Sequence, residues 1–352
     1  MNSLISQFSQ PLLNWFSIFG RKNLPWQHPR IAYRVWISEI MLQQTQVKTV
    51  IPFFERFMAS FPDVRQLAAA SEDAVLAHWS GLGYYSRARN IHKTAKIICE
   101  EYAGNFPEDL ASLISLPGIG ASTAAAIGSL AFNQPTAILD GNVKRVLSRY
   151  FMVDGSPEQS IVKKQLWQFA QQCMPEENCA EYTQAIMDLG ATCCTLKNPD
   201  CQNCPLKNTC RAFLDDKVKH YPFKIIKKAR PIKHQQFLLM HTEDNLIYLE
   251  KRPPGLWGGL WCMPAIEIDI DPVEFILEQY GFDCREIKNL MAIKHSFTHF
   301  HLHITARAIS IQPNAKMIAD NPGKWFGSNQ FNTIGLAKPV SQIMNHFLQA
   351  VI

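Results

Sequence analysis

Cys194-Thr-Leu-Lys-Asn-Pro-Asp-Cys201-Gln-Asn-Cys204-Pro-Leu-Lys-Asn-Thr-Cys210 is the stretch on which the reading of this chain turns. Four cysteines at C-x6-C-x2-C-x5-C spacing lie close enough for their thiolates to meet at one centre. That is the ligand set of a cubane iron–sulfur cluster and equally of a structural zinc. Spacing alone leaves both open. Five of the ten cysteines crowd into 193–210, where disulfide loops would be tiny. A metal group in a reducing compartment is therefore the better expectation. In the C-x6-C spacing Cys194 is the expected ligand, and Cys193 beside it is a small buried hydrophobe.

Working outward, 352 residues are enough for two domains with separate cores. Hydrophobic residues make up 47% and charged residues 18%, a globular balance rather than a disordered one. No apolar run reaches the roughly 18 residues of a membrane span. The first residues, Met1-Asn-Ser-Leu-Ile-Ser-Gln-Phe8, carry no basic segment ahead of an apolar run, so no export is expected and a cytoplasmic setting is. Net charge is +5, and residues 1–230 hold 25 Lys and Arg against 19 Asp and Glu. Positive charge concentrated there suits a phosphate-rich partner without proving one.

The first 210 residues read as mostly helical. Apolar positions recur at helical spacing in 4–18, 35–58, 72–79, 88–101, 121–132, 160–171 and 179–190, with Pro, Gly and Asn between them. Residues 215–233 carry Lys217, Lys219, Lys224, Lys227, Lys228, Arg230 and Lys233 with two prolines, and read as a basic linker. Beyond it the period shortens. Runs at 236–240 and 246–249 read as a hairpin, helical spacing returns near 272–280, strand alternation near 300–310, and a last helix fits 338–349. The expected layout is a helical region 1–214, a linker 215–233 and an α+β domain 234–352.

Leu116-Pro117-Gly118-Ile119-Gly120 lies between two helical stretches. Gly118 and Gly120 let the backbone approach a phosphate, and the N–H groups opening the next helix face the anion. A plain interhelical turn would look the same. Twenty residues on, Asp140 precedes Gly141-Asn142, where an N-cap is the ordinary reading. Glu39 sits in an apolar helical segment beside Trp36 and Met41. A carboxyl there must be paired or kept protonated.

In this order, the glycine turn, the Asp and the four cysteines resemble the endonuclease III superfamily of helix-hairpin-helix DNA glycosylases. The resemblance implies a [4Fe–4S] cluster on Cys194, Cys201, Cys204 and Cys210. In its bifunctional glycosylase/lyases the position of Ser122 is a lysine that attacks the sugar; serine cannot form a Schiff base. Leu24-Pro25-Trp26, Val35 to Val47 and Trp79-Ser-Gly-Leu-Gly-Tyr84-Tyr-Ser-Arg-Ala-Arg-Asn90 narrow this to a close resemblance to the MutY adenine DNA glycosylases, over nearly the whole chain.

That resemblance makes Glu39 the acid that protonates adenine N7 and Asp140 the carboxylate that stabilises the oxocarbenium-like sugar, with Asn142 ordering the site. Gln184 matches the residue that reads the extruded adenine. Gln44 and Tyr84 match the wedge that fills the duplex when a base leaves the stack. Lys144, one helical turn past Asp140, is a phosphate contact or a weak lyase.

In the C-terminal part, Arg252-Pro-Pro-Gly-Leu-Trp-Gly-Gly-Leu-Trp261 resembles the entry to a Nudix domain. Only Glu274 and Glu278 stand where a Nudix hydrolase clusters its magnesium carboxylates, so nucleotide hydrolysis is not expected. His299, His301 and His303 alternate as on one strand face, which invites a zinc reading; no carboxylate or cysteine pattern supports it. The resemblance instead implies that Phe297, Thr298 and His299 detect 8-oxoguanine opposite the adenine. Thr298 departs from the family's usual serine, keeping the hydroxyl and adding a methyl.

The expectation is a monofunctional adenine glycosylase acting as a monomer on double-stranded DNA with A:8-oxoguanine or A:G mispairs. Its rivals are a bifunctional lyase for oxidised pyrimidines, an inactive cluster-bearing DNA-binding module and a Nudix hydrolase.

Overall fold

The computed structural model describes residues 5–223, 229–312 and 322–351. Lys224, Lys227 and Lys228 of the expected linker lie outside the described residues, as does residue 4 of the first expected helix. The chain divides into two compact units, Met1–Ala68 with Lys93–Ile226, and Ala69–His92 with Lys227–Ile352. Residues 69–92 thus precede the cysteine stretch by over a hundred positions yet pack with the C-terminal part.

The first unit is helical. Its helices are α1 (Gln10–Phe19), α2 (Ala32–Leu42), α3 (Val47–Ser60), α4 (Val64–Ala69), then, beyond α5 (Glu72–Trp79) and α6 (Ser86–Glu101), α7 (Leu110–Ser115), α8 (Ala121–Phe132), α9 (Gly141–Tyr150), α10 (Ser160–Cys173), α11 (Cys179–Asp188) and α12 (Arg211–Leu214). At its centre, α8 is buried nearly all round through Thr123, Ala124, Ala125, Ala126 and Ile127. Small side chains let α2, α7 and α11 approach it closely. Trp36, Ile37 and Met41 on α2 and Phe54 and Phe57 on α3 belong to the core, each at most 1% exposed.

The single helical stretch expected over 35–58 is two helices. Gln44 takes a left-handed φ of 58° in the turn between them. The apolar period runs through the break because both sides bury into one core.

The second unit is built on a mixed sheet of order β3-β2-β1-β6-β5, with β4 on β1 and β7 on β2. The strands are β1 (Ile232–His241), β2 (Ile247–Lys251), β3 (Trp261–Cys262), β4 (Ala265–Ile266), β5 (Asp283–Ser296), β6 (His301–Gln312) and β7 (Gly323–Phe326). β1 and β6 are parallel; β5 and β6 form an antiparallel hairpin whose tip is residues 297–300. Helix α13 (Pro272–Tyr280) starts on Pro272, with Asp271 accepting from Val273 and Glu274 N–H. Its Ile276 and Tyr280 cover Leu238, Met240, Ile309 and Ile311. Helix α14 (Lys338–Val351) closes the chain.

Residues 69–92 belong here by specific ties. Lys251 Nζ pairs with Asp73 at 2.8 Å, Ser80 Oγ donates to the Leu336 carbonyl at 2.9 Å, and Arg89 donates to the Gly258 carbonyl. Among the described residues no helix is long and apolar enough to cross a membrane.

Candidate functional site

In the first unit one cavity of about 910 Å³ gathers Glu39, Gln44, Ser122, Asp140, Asn142, Lys144 and Gln184 from α2, the turn after it, α8, α9 and α11. Glu39 enters from an α2 face that otherwise buries Val35, Trp36 and Ile40. Burial first, and the charge of Asp140 second, push its carboxyl up to about 8.

Asp140 caps α9. Its Oδ1 accepts from Val143 N–H at 2.7 Å and its Oδ2 from Asn142 Nδ2 at 3.2 Å. Burial still raises its carboxyl above the ordinary value, against the opposing pull of these N–H groups and Arg145. The two carboxyls therefore differ in kind. Burial raises both, but at Asp140 the N–H donors and Arg145 pull back toward the anion, while at Glu39 the Asp140 charge adds to the rise.

The Asp140 partners lead back to the cysteines. Asn142 Oδ1 accepts from Arg145 Nη2 at 2.9 Å, and Arg145 also donates to the carbonyls of Gly190 at 2.5 Å and Cys194 at 2.8 Å. A Cβ on Gly190 would come within 2.6 Å of the Asn142 Cβ, so glycine allows this close approach. Arg149 donates to the Cys194 sulfur at 3.2 Å and to the Thr195 carbonyl at 2.7 Å. Cys194, Cys201, Cys204 and Cys210 line one apolar pocket together with Arg149 and the buried Cys193. Among the described residues, no group of three or more His, Cys, Asp or Glu is arranged to hold a single metal ion.

Gln184 is 5% exposed and donates through Nε2 to Asp188 Oδ1 at 2.9 Å. Asp188 is itself gripped by the backbone N–H and guanidinium of Arg21, at 2.7 and 2.6 Å. Sequence reading missed Arg21 and Asp188, which lie 167 positions apart. Ser122 Oγ accepts from Leu139 N–H at 3.1 Å, beside Asp140. Lys144 is ion-paired with Glu158 at 3.0 Å. Gly118 (φ 79°) and Gly120 form the exposed turn between α7 and α8, anchored by buried Leu116 and Ile119.

The second unit holds the other expected site residues. Tyr84 is 46% exposed with a left-handed φ of 49°, and its hydroxyl lies 2.9 Å from that of Thr298. Thr298 and His299 are exposed at the β5–β6 tip, which Phe297 closes through a 2.9 Å bond to the Phe300 carbonyl. His299 is in this turn, off the strand that carries His301 and His303. Gln44 and Tyr84 share one trait: each is a non-glycine residue in a left-handed conformation, a costly state that persists where surrounding structure enforces it, often at functional sites.

Comparison with known proteins bears on this arrangement. Residues 37–172 match the HhH-GPD superfamily of base excision DNA repair proteins, and 236–346 match the NUDIX domain. An adenine DNA glycosylase of Buchnera aphidicola subsp. Acyrthosiphon pisum is 40% identical, covering 97% of each chain. The chain belongs to the adenine DNA glycosylase family. Membership makes it a DNA N-glycosylase, a hydrolase of N-glycosidic bonds. The Homo sapiens adenine DNA glycosylase is 42% identical over 96% of this chain and 73% of its own. A thermostable thymine-DNA glycosylase structure superposes with a TM-score of 0.55 at 26% identity, covering 61% of this chain and 98% of its own. An endonuclease III trapped on DNA, at 22% identity and TM-score 0.52, shares the fold of the helical part.

Proposed function

We propose that this chain hydrolyses the glycosidic bond of adenine placed opposite 8-oxoguanine, and less tightly opposite guanine, in duplex DNA. The observation that carries the reading is the single cavity holding Glu39, with a carboxyl near 8, against a hydrogen-bonded Asp140. A base must leave the stack to reach such a cavity, and Gln44 fills the space it vacates. Glu39 donates its proton to N7, so adenine departs as a neutral base. Asp140 faces the developing positive charge on the sugar, and water completes the hydrolysis. Gln184, its Nε2 committed to Asp188, presents its carbonyl end for the exocyclic amine of adenine. In the second unit, Phe297, Thr298 and His299 read the opposite base, with Tyr84 bonded to Thr298 as the wedge.

A lyase step has little support in the geometry. Ser122 has no amine, and Lys144 is drawn to Glu158 at 3.0 Å.

Cys194, Cys201, Cys204 and Cys210 would hold the [4Fe–4S] cluster. Four thiols lining one apolar pocket are the donor set such a cluster takes, and Arg149 would supply a cation beside the ligating sulfurs. When bound, the cluster supplies a rigid, negatively charged cross-link for the 194–210 loop. Arg145, on α9, ties that loop to the site by donating to the Cys194 carbonyl and to Asn142, which in turn holds Asp140.

The experiment is a single-turnover assay of wild type and Asp140→Asn on a duplex with adenine opposite 8-oxoguanine, with binding measured alongside. Loss of turnover by a factor of about 10³ or more with binding kept is expected. Turnover surviving the change would sink the assignment.

A further inference from the structure

Trp257 stands in the turn between β2 and β3, outside the lining of the Glu39 cavity. It is 8% exposed, although it occupies a surface turn flanked by Gly255 and Gly259 at positive φ. Its own φ is 55°, a left-handed conformation that a bulky side chain adopts only under constraint.

The constraint is aromatic packing. The indole lies 5.1 Å from the ring of Phe297, 5.5 Å from His295 and 6.1 Å from Phe237, measured between centroids. His295 and Phe297 meet edge to face at 4.6 Å, and Phe297 stacks on Phe300 at 4.7 Å. Trp257 therefore forms the wall against which the β5–β6 tip rests. The turn that carries it is pinned: Arg252 donates to Leu260, Gly259 to Arg252 and Leu260 to Trp257, at 2.8 to 3.0 Å. Arg89, five residues after Tyr84, donates to the carbonyl of Gly258, the residue after Trp257. Trp257, Tyr84, Phe297 and Thr298 line one cavity of about 380 Å³ within the second unit. Trp257 does not line the Glu39 cavity.

We propose that Trp257 is a positioning residue for specificity: it holds the Phe297–Thr298 turn at the distance where Thr298 meets Tyr84, and so sets the preference for the base opposite the adenine. This rests on the reading of that turn as the detector of the opposite base. Phe297 is only half-buried, so without the indole its ring loses one of the three aromatic rings packed against it, and the adjoining Thr298 hydroxyl loses its fixed place. An aromatic wall is rigid and large, burying ~150–250 Å². A leucine keeps the apolarity and loses that reach.

The test uses the full-length protein with Trp257→Leu, Trp257→Phe and Thr298→Ala. Affinity and single-turnover rate are measured on adenine opposite 8-oxoguanine and opposite guanine. Trp257→Leu is expected to weaken binding of the 8-oxoguanine duplex about tenfold, with the guanine duplex and the saturated rate changing less than about twofold. Trp257→Phe keeps a ring and recovers most of the preference; should the leucine variant not fold, a partial loss of preference in the phenylalanine variant is the expected result. Equal weakening on both duplexes, or an unchanged preference in a folded Trp257→Leu beside a lost one in Thr298→Ala, overturns the proposal while the turn's role stands. A preference unmoved by Thr298→Ala as well overturns both.

Discussion

The hydroxyls of Tyr84 and Thr298 lie 2.9 Å apart although 214 positions separate them in sequence. One residue sits in a left-handed turn ahead of α6 and the other on a hairpin tip of the mixed sheet. On the proposed function the pair joins the wedge to the base-reading turn, and the threonine hydroxyl is enough to make the bond.

Tyr84→Phe removes that bond and keeps the ring. A net hydrogen bond between exposed groups is worth about 0.5–1.5 kcal/mol, so preference for 8-oxoguanine over guanine should fall by about two- to tenfold. Tyr84→Ala also removes the wedge, and turnover on both duplexes should fall. Thr298→Ser, which keeps the hydroxyl, should stay close to wild type. Paired single-turnover assays on the two duplexes check all three.

The raised Glu39 carboxyl makes a statement about pH. On the proposed mechanism the acid form of Glu39 protonates the base and the anion of Asp140 faces the sugar. The rate should therefore fall as pH rises through about 8, and fall again at acid pH as Asp140, raised by burial, takes up its proton. Glu39→Gln should be slower throughout and lose the alkaline limb of the profile.

The same shift bears on stability. The folded-state value lies above the ordinary 4.5, so the stability contributed by the neutral form is fully present below pH 4.5 and lost as pH rises to about 8. Glu39→Gln should therefore match wild type in unfolding experiments near pH 4.5 and be clearly the more stable near pH 8. A glutamine variant less stable at both pH values would contradict the burial argument.

Gly190→Ala places a Cβ within 2.6 Å of the Asn142 Cβ, and Asn142 is the donor that holds Asp140 Oδ2. Displacing it should lower the single-turnover rate about tenfold or more while DNA binding changes little, since misplacing a catalytic group costs chemistry before affinity. Rate and dissociation constant measured together separate the two.

Legibility in the sequence follows the range of the interaction. The cysteine spacing, the Pro117–Gly120 turn and the Glu39 helix are local patterns, and helix period and glycine placement expose them. Arg21 on Asp188, Arg145 on Gly190 and Tyr84 on Thr298 are tertiary pairs, and nothing near either member announces the other. Strand β5 went unread for another reason. It is an edge strand with much of its length exposed, and bulges between Cys284 and Glu286 and between Asn289 and Met291 break its alternation. Residues 69–92 group with the second unit through single contacts such as Lys251 with Asp73, which leave no mark on composition.

If Cys194, Cys201, Cys204 and Cys210 hold the proposed cluster, Cys204→Ser should lower the iron bound per chain and the melting temperature together, because the 194–210 loop would lose that cross-link. Cys193→Ser should leave the iron content unchanged, since Cys193 is buried and its thiol is engaged with the Asp200 carbonyl at 3.2 Å. Iron analysis and thermal unfolding of the two variants decide between Cys193 and its neighbour Cys194 as the ligand.

The most direct measurement is single-turnover cleavage of three duplexes that differ only in the base opposite adenine: 8-oxoguanine, guanine or thymine. The account predicts fast release of adenine opposite 8-oxoguanine, slower release opposite guanine and none above background opposite thymine. Equal release from the thymine duplex would contradict it.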